Sequence, residues 1–316
     1  MNRFTGRAKE IVTIPTKPTP TGLKIWVIAQ LGFIIAWCFH RPGSKGGPVG
    51  VKTPVELGGN KHGNGGNKTQ AVVVHLLEQL LPSPANTGYH VFIDNLFTST
   101  ILLELLRERG FAATGTCRTT AGVVQELVDL KAKSKTKPEP WGTKHLVPTE
   151  ANTIMQVGWQ DSAFALTMST LFDGITEIPS LRRRPRETSS ARVARKPFGN
   201  QSTKVMLILE LYDAYNHGMG AVDEADQLQA SLSGLRRVRR GAHQALEHWL
   251  FLSVLVNCYV IAKNSDYELF YRSQSSFRTR IFEGLVSLGR DGGVPRKRSF
   301  GHTKQEADEV PPYLCD

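Results

Sequence analysis

Hydrophobic positions along the chain fall into short runs separated by Gly-, Pro- and Lys-rich stretches. The sharpest run is Tyr89-His90-Val91-Phe92-Ile93, which leads into Asp94. Its β-branched and aromatic side chains read as a strand that ends on a carboxylate. Asn95 to Ser99 follow as a polar, helix-starting set, and Ile101 to Gly110 repeats apolar residues at helical spacing and closes on glycine. A strand that delivers an acid to its C-terminal end, with a helix packing back, is a common way to build an acidic site in an α/β sheet. The same residues also read as a plain helix start in which Asp94 caps the turn at Thr98-Ser99.

The remaining runs extend this pattern. Leu23 to Ala29 and Phe33 to His40 read as two strands turning at Leu31-Gly32. Thr69 caps an expected helix through Val72 to Leu81, which Pro82 and Pro84 stop. A short strand is expected at Ala112 to Thr116 and a short helix at Val123 to Leu130. Lys131 to Pro140 reads as a charged linker. Met155 to Asp161 and Ala163 to Thr170 read as a further strand pair. From Val205 the pattern is helical, with Glu247 to Lys263 as a buried helix. Residues 1–22 read as irregular, because Pro15, Pro18 and Pro20 forbid a long helix. Residues 41–68 and 181–204 read as exposed loops, and the chain after about residue 275 as a polar tail of little order. This order of strands and helices suits an α/β fold with a mixed sheet flanked by helices. The domain expected is 1–270 with a basic insertion at about 131–204, followed by the basic and acidic tail 271–316.

Composition narrows the function. The net charge is +11 over 316 residues, which points to a polyanionic partner, nucleic acid first. Cys38, Cys117, Cys258 and Cys315 are scattered without a Cys-x-x-Cys pair, which argues against a zinc finger and a disulfide scaffold. The apolar run Ile25 to Phe39 contains Gln30 and Gly32 and falls short of the ~20 residues of a spanning helix, so no membrane partner is expected. There is no phosphate-cradling Gly-rich loop followed by Lys-Ser or Lys-Thr. Arg182, Arg183, Arg184 and Arg186 form one basic run, and Arg236, Arg237, Arg239 and Arg240 another. Both read as DNA-backbone contacts or as solvated faces.

A second acidic group lies in Tyr215-Asn216-His217-Gly218-Met219-Gly220-Ala221-Val222-Asp223-Glu224-Ala225-Asp226-Gln227. On a helix, Asp223 and Asp226 share a face. Together with Asp94 they could hold hard divalent cations through oxygen, and two such ions activate a nucleophile in phosphodiester chemistry. The alternative is that Asp223 and Asp226 only complement a helix N-terminus. His217 reads either as a residue near the scissile phosphate or as a surface histidine. Trp159 and Trp249 read as core aromatics.

These segments, taken together, resemble the piggyBac transposase family. The resemblance is carried by Asp94 to Ser99, the Leu-rich helix after them, Gly115-Thr116-Cys117-Arg118 and Tyr215 to Gln227. Phe4-Thr5-Gly6-Arg7, Pro15 to Pro18 with Gly22-Leu23-Lys24, Val157-Gly158-Trp159, Leu166 to Thr170, Trp249 and Asn257-Cys258-Tyr259 add to it. It implies an RNase H-like core, three catalytic aspartates with bound Mg²⁺, and DNA cutting and joining at element ends. By position Asp94 matches the second catalytic aspartate, Asp223 the third, and Asp226 an additional acid near it. No aspartate stands before Phe4, where the family carries the first, and Asp94 is the first aspartate in the sequence. The resemblance thus leads to an expected sheet incomplete at its N-terminal strand and a protein inactive as it stands. A non-enzymatic DNA-binding remnant or domesticated protein is the alternative. DNA is the expected partner, a homodimer the expected assembly and the nucleus the expected location, with no small-molecule substrate.

Overall fold

The computed structural model describes residues 1–41, 48–59, 67–80, 88–187, 192–231, 241–265 and 273–290. The chain divides into two compact units, Met1–Val260 and Ile261–Asp316.

In the first unit the central layer is a five-stranded sheet. Its strands are β6 (Tyr89–Ile93), β7 (Phe111–Thr116), β8 (Lys144–Pro148), β9 (Met155–Gln160) and β10 (Phe164–Ser169), in the order β6-β7-β10-β9-β8. β6 and β7 run parallel, with Ile93 opposite Gly115, and the other neighbours run antiparallel. The parallel pair needs a crossover, which α2 (Thr100–Glu108) supplies. Four leucines of α2, Leu102, Leu103, Leu105 and Leu106, are buried at 3% exposure or less. Each contributes about 1.5–3 kcal/mol by leaving water. With α1 (Lys68–Leu77) and Leu127 of α3 (Gln125–Ser134) they form the main core against Ile93, Ala113, Leu166 and Met168. The strand period of two sends the alternate residues to the other face. There Val157 and Trp159 pack with Ile208, Leu209, Leu211 and Tyr212.

That second face is covered by a two-stranded ribbon and a helix. β11 (Glu177–Arg183) and β12 (Thr203–Leu209) pair antiparallel from Glu177↔Leu209 to Arg183↔Thr203. α4 (Arg192–Arg195) lies in the connection, and α5 (Glu210–Gly218) follows β12 directly. The hairpin β4 (Ile25–Gln30) and β5 (Phe33–Phe39) turns at Leu31-Gly32, as its pattern requires, with Leu31 at φ 49° and Gly32 at φ 79°. It forms its own two-stranded sheet rather than joining the larger one. Helices cover it: Trp26 and Ala36 meet Val72 and Leu76 of α1. Ile34 meets Ala225 of α6 (Ala221–Ala230) and Trp249 of α7 (Ala242–Lys263).

Several segments differ from their sequence pattern. Residues 1–22 are not irregular: β1 (Asn2–Arg3), β2 (Ile11–Thr13) and β3 (Thr21–Leu23) make a three-stranded sheet, in which prolines occupy only the connections. The cap of α1 is Asn67, not Thr69; its side chain accepts the Gln70 N–H at 3.1 Å. The basic stretch 181–204 is not a loop throughout, because Leu181 to Arg183 continue β11 and Thr203-Lys204 open β12. Strand rather than helix runs on to Leu209, where alternate residues Ile208 and Met206 reach the core. α3 takes in Lys131 to Ser134 of the expected linker. Leu57 of the 41–68 stretch is buried in the main core.

α7 is long and apolar enough to cross a membrane by length and composition alone. Within the first unit its residues Ala245, Trp249, Val256 and Val260 are buried against the fold, while Phe251 and Val254 stay exposed. In the second unit α8 (Gln274–Arg290) is helical where a polar tail is expected. Residues 291–316 lie outside the described residues.

Candidate active site and basic ribbon

Asp94 follows β6, a partly buried strand at one edge of the sheet rather than a fully buried one. Val91 and Ile93 face the main core, and His90 and Phe92 face the opposite side. Asp94 is exposed. Its backbone carbonyl accepts the N–H groups of Phe97 and Thr98 at 3.0 and 3.2 Å and the Thr98 hydroxyl at 3.0 Å. Its carboxylate accepts the Asn95 N–H at 2.6 Å. The helix cap is Ser99, whose hydroxyl accepts the Leu102 N–H at 3.2 Å. Asp94 is therefore not the cap of α2, and its side chain faces solvent at the end of the strand.

Two residues that the hydrophobic pattern does not single out hold this turn in place. Gln70, 6% exposed, donates from one amide nitrogen to the Phe97 carbonyl at 2.8 Å and to the Ser99 hydroxyl at 2.7 Å. A buried polar residue on an otherwise apolar helix is the signal that could have found it. Gly115 lies under the turn; a Cβ there would come within 2.7 Å of the Ile93 carbonyl oxygen. Only glycine lets the turn fold that closely over β7.

The other face of the strand is tied to α5. Tyr215 donates its phenol to the Ile93 carbonyl at 3.4 Å and accepts from the Thr116 hydroxyl at 3.1 Å. Burial raises the Tyr215 phenol above its ordinary range, and the Thr116 hydrogen bond partly offsets this while Asp94 adds to it. Tyr212, also on α5, accepts from Thr167 at 3.0 Å and is raised further by complete burial. His90 shares a hydrogen bond with Thr114 at 2.9 Å, and burial lowers its pKa. Cys117, at the end of β7, is pushed up to about 12 by burial.

Asp223 and Asp226 sit on α6, which starts three residues after α5 ends. Asp223 is in the first turn and exposed. Asp226 also reaches solvent, yet partial burial raises its carboxyl above the usual range. The N-terminal amino group opposes this shift, Asp223 adds to it, and Lys17 opposes it. Asp223 and Asp226 thus act on each other, and Asp94 acts on Tyr215. Hard oxygen donors of this kind are what magnesium takes. Among the described residues, however, no group of three or more His, Cys, Asp or Glu could hold a metal ion. The described residues do not by themselves assemble the three-carboxylate site expected from the sequence. His217, beside this segment, is exposed and pairs with Asp213 at 3.2 Å.

The basic residues fall in different settings. Arg182 packs on the sheet side of the ribbon, with its Nη2 3.2 Å from Asp161 Oδ2. Trp141 donates to the other oxygen of Asp161 at 2.9 Å. Arg183 and Arg186 are exposed, and Arg184 is half-buried. Arg236, Arg237, Arg239 and Arg240 lie outside the described residues.

A mixed sheet with helices on one face, a ribbon and helix on the other, and an acid leaving the end of a parallel strand defines an RNase H-like α/β protein. Residues 1–259 match the family described as Transposase IS4, and the chain belongs to this family of piggyBac-type transposases. It is also similar to a solved structure, the cryo-EM structure of a piggyBac transposase synaptic complex with hairpin DNA, at 17% identity and a TM-score of 0.56. The match covers 93% of this chain and 56% of that one. At this identity the likeness is one of fold.

Proposed function

We propose that this transposase-derived chain is a DNA-binding protein whose β11–β12 ribbon meets the DNA backbone. The observation that carries this reading is the gathering of Arg183, Arg184 and Arg195 at one end of the ribbon, in a chain of net charge +11. The family of the chain and the DNA in the structure of similar fold support it. We propose the nucleus as its location, on the basic runs and the family, and a homodimer as its assembly. The test is binding to labelled duplex DNA over a range of salt. Binding that weakens steeply with salt supports the reading, and no binding at ~0.05 M salt overturns it.

A second reading is DDE-type cutting and joining of DNA, favoured by the exposed carboxylate of Asp94 at the end of β6. That chemistry needs carboxylates brought to shared Mg²⁺ ions. Asp94 and Asp223 are the two residues it would use here, with Asp226 beside the second. Nicking and strand-transfer assays with Mg²⁺ or Mn²⁺ test it, comparing this chain with Asp94→Ala and Asp223→Ala. Activity lost in both variants supports a catalytic protein. No activity in this chain leaves DNA binding as its function.

A further inference from the structure

At the Arg183–Thr203 end of the ribbon lies an open cleft of about 420 Å³. Arg183, Arg184, Arg195, Asn200, Ser202 and Thr203 line it. Three guanidinium groups beside an amide and two hydroxyls make a donor-rich set. Planar, always-charged forks of this kind match the oxygens of a phosphate group.

The walls of the cleft are held by backbone contacts. The Arg184 N–H donates to the Ser202 carbonyl at 2.8 Å, and Arg195 Nη1 donates to the Pro185 carbonyl at 2.7 Å. The Nε of Arg184 is buried and has no hydrogen-bond partner among the described residues. A buried donor left without an acceptor is costly, so this N–H is open to an acceptor that the described residues do not supply. One carboxylate is near: Glu187 Oε2 lies 3.5 Å from Arg195 Nη2. Its side chain is 88% exposed, so solvent and salt weaken its hold. Arg182 is committed to Asp161 and does not line the cleft.

We propose that this cleft holds one phosphodiester group of a DNA backbone, gripped by Arg184 and Arg195 with Arg183 at the rim. The proposal rests on the DNA-binding reading above and names where the backbone is held. A free phosphate shares the chemistry. The ribbon end favours a polymer, because Arg186, Arg192 and Lys196 extend the positive charge along the chain on both sides of the cleft.

The test measures duplex binding by fluorescence anisotropy over a range of salt, with circular dichroism as a check on folding. Arg184→Gln and Arg195→Gln should each weaken binding and lower the slope of log K against log [salt] by about one. Arg184→Lys keeps the charge and loses Nε. It should keep the slope and still bind several-fold more weakly, and it serves if the glutamine variants do not fold. If the original chain binds with a steep slope and all variants match it, the cleft makes no contact: this proposal falls together with the ribbon as the contact surface, while DNA binding by the chain stands. If the original chain does not bind DNA, the DNA-binding reading falls with it. A thermal-shift titration with inorganic phosphate separates the sources. Protection of the original chain but not of Arg184→Gln, with unchanged DNA slopes, would make the cleft a free-anion site and overturn the proposal.

Discussion

Gly218, the last residue of α5, rests directly on the ring of Phe92 in β6. A methyl group built on Gly218 would run into that ring, so α5 can approach the Asp94 strand only because this position has no side chain. Gly218→Ala should destabilise the fold by about 1–3 kcal/mol, the usual cost of overpacking. Phe92→Leu in the same chain should recover part of the loss. Urea unfolding of the two single variants and the double variant measures the coupling.

Gln70 should matter more than its place on a helix suggests. Gln70→Leu removes the donor to the Phe97 carbonyl and the Ser99 hydroxyl. The expected loss is about 1–3 kcal/mol, because both acceptors stay partly buried. Amide exchange at Phe97 to Ser99 should quicken more than exchange in β9 and β10. Equal changes everywhere would mean Gln70 does not hold the Asp94 turn specifically.

Asn257 of α7 binds one residue of β5 by both backbone groups. Its Oδ1 accepts the Ile34 N–H and its Nδ2 donates to the Ile34 carbonyl, each at 2.8 Å. Asn257→Ala should cost about 1–3 kcal/mol and expose that strand position. Thermal unfolding together with exchange of the Ile34 amide checks it.

Stability should fall at high pH. Cys117, Tyr212 and Tyr215 all have folded pKa values raised chiefly by burial. A raised folded value means the unfolded chain loses its proton first. The stabilising effect is therefore complete below the ordinary values and is lost as pH rises above them. For Cys117 the window runs from 9.0 to about 12. Each group contributes a slope of up to about 1.4 kcal/mol per pH unit inside its window. Urea midpoints from pH 7 to 11 check the direction, and Cys117→Ala should flatten the curve near its lower end.

Asp226→Asn should raise the melting temperature near neutral pH. The folded pKa of Asp226 is raised, first by burial, so its contribution is full below the ordinary value of 3.8 and is lost as pH rises. The gain from asparagine should therefore vanish near pH 3. A loss of stability at pH 7 instead would show that Lys17 and the N-terminal amino group outweigh burial and Asp223.

The elements that neighbouring residues specify were legible in the chain itself. The strand at Tyr89–Ile93, the leucine-rich helix after it, the Leu31-Gly32 hairpin and the pair β9–β10 follow from local period and turn chemistry. So did the family, because its signature is an ordered series of short motifs. The places where tertiary packing overrides local preference were not. Thr203–Leu209 becomes a strand because β11 pairs with it, and Asn2–Arg3 joins a sheet that closes through distant Leu23. Whether Asp94 caps a helix or faces solvent was open in the sequence, and Ser99 decided it by taking the Leu102 N–H. Gln70, Asn257 and the Arg184 cleft depend on contacts across 27 to 223 residues or on the pairing of β11 with β12. The sequence by itself determined the family, the strands and helices of local pattern, and the acids on offer. Tertiary structure alone decided which acid faces which group and which arginine Nε is left without a partner among the described residues, because those depend on approach through space, which spacing along a chain does not encode.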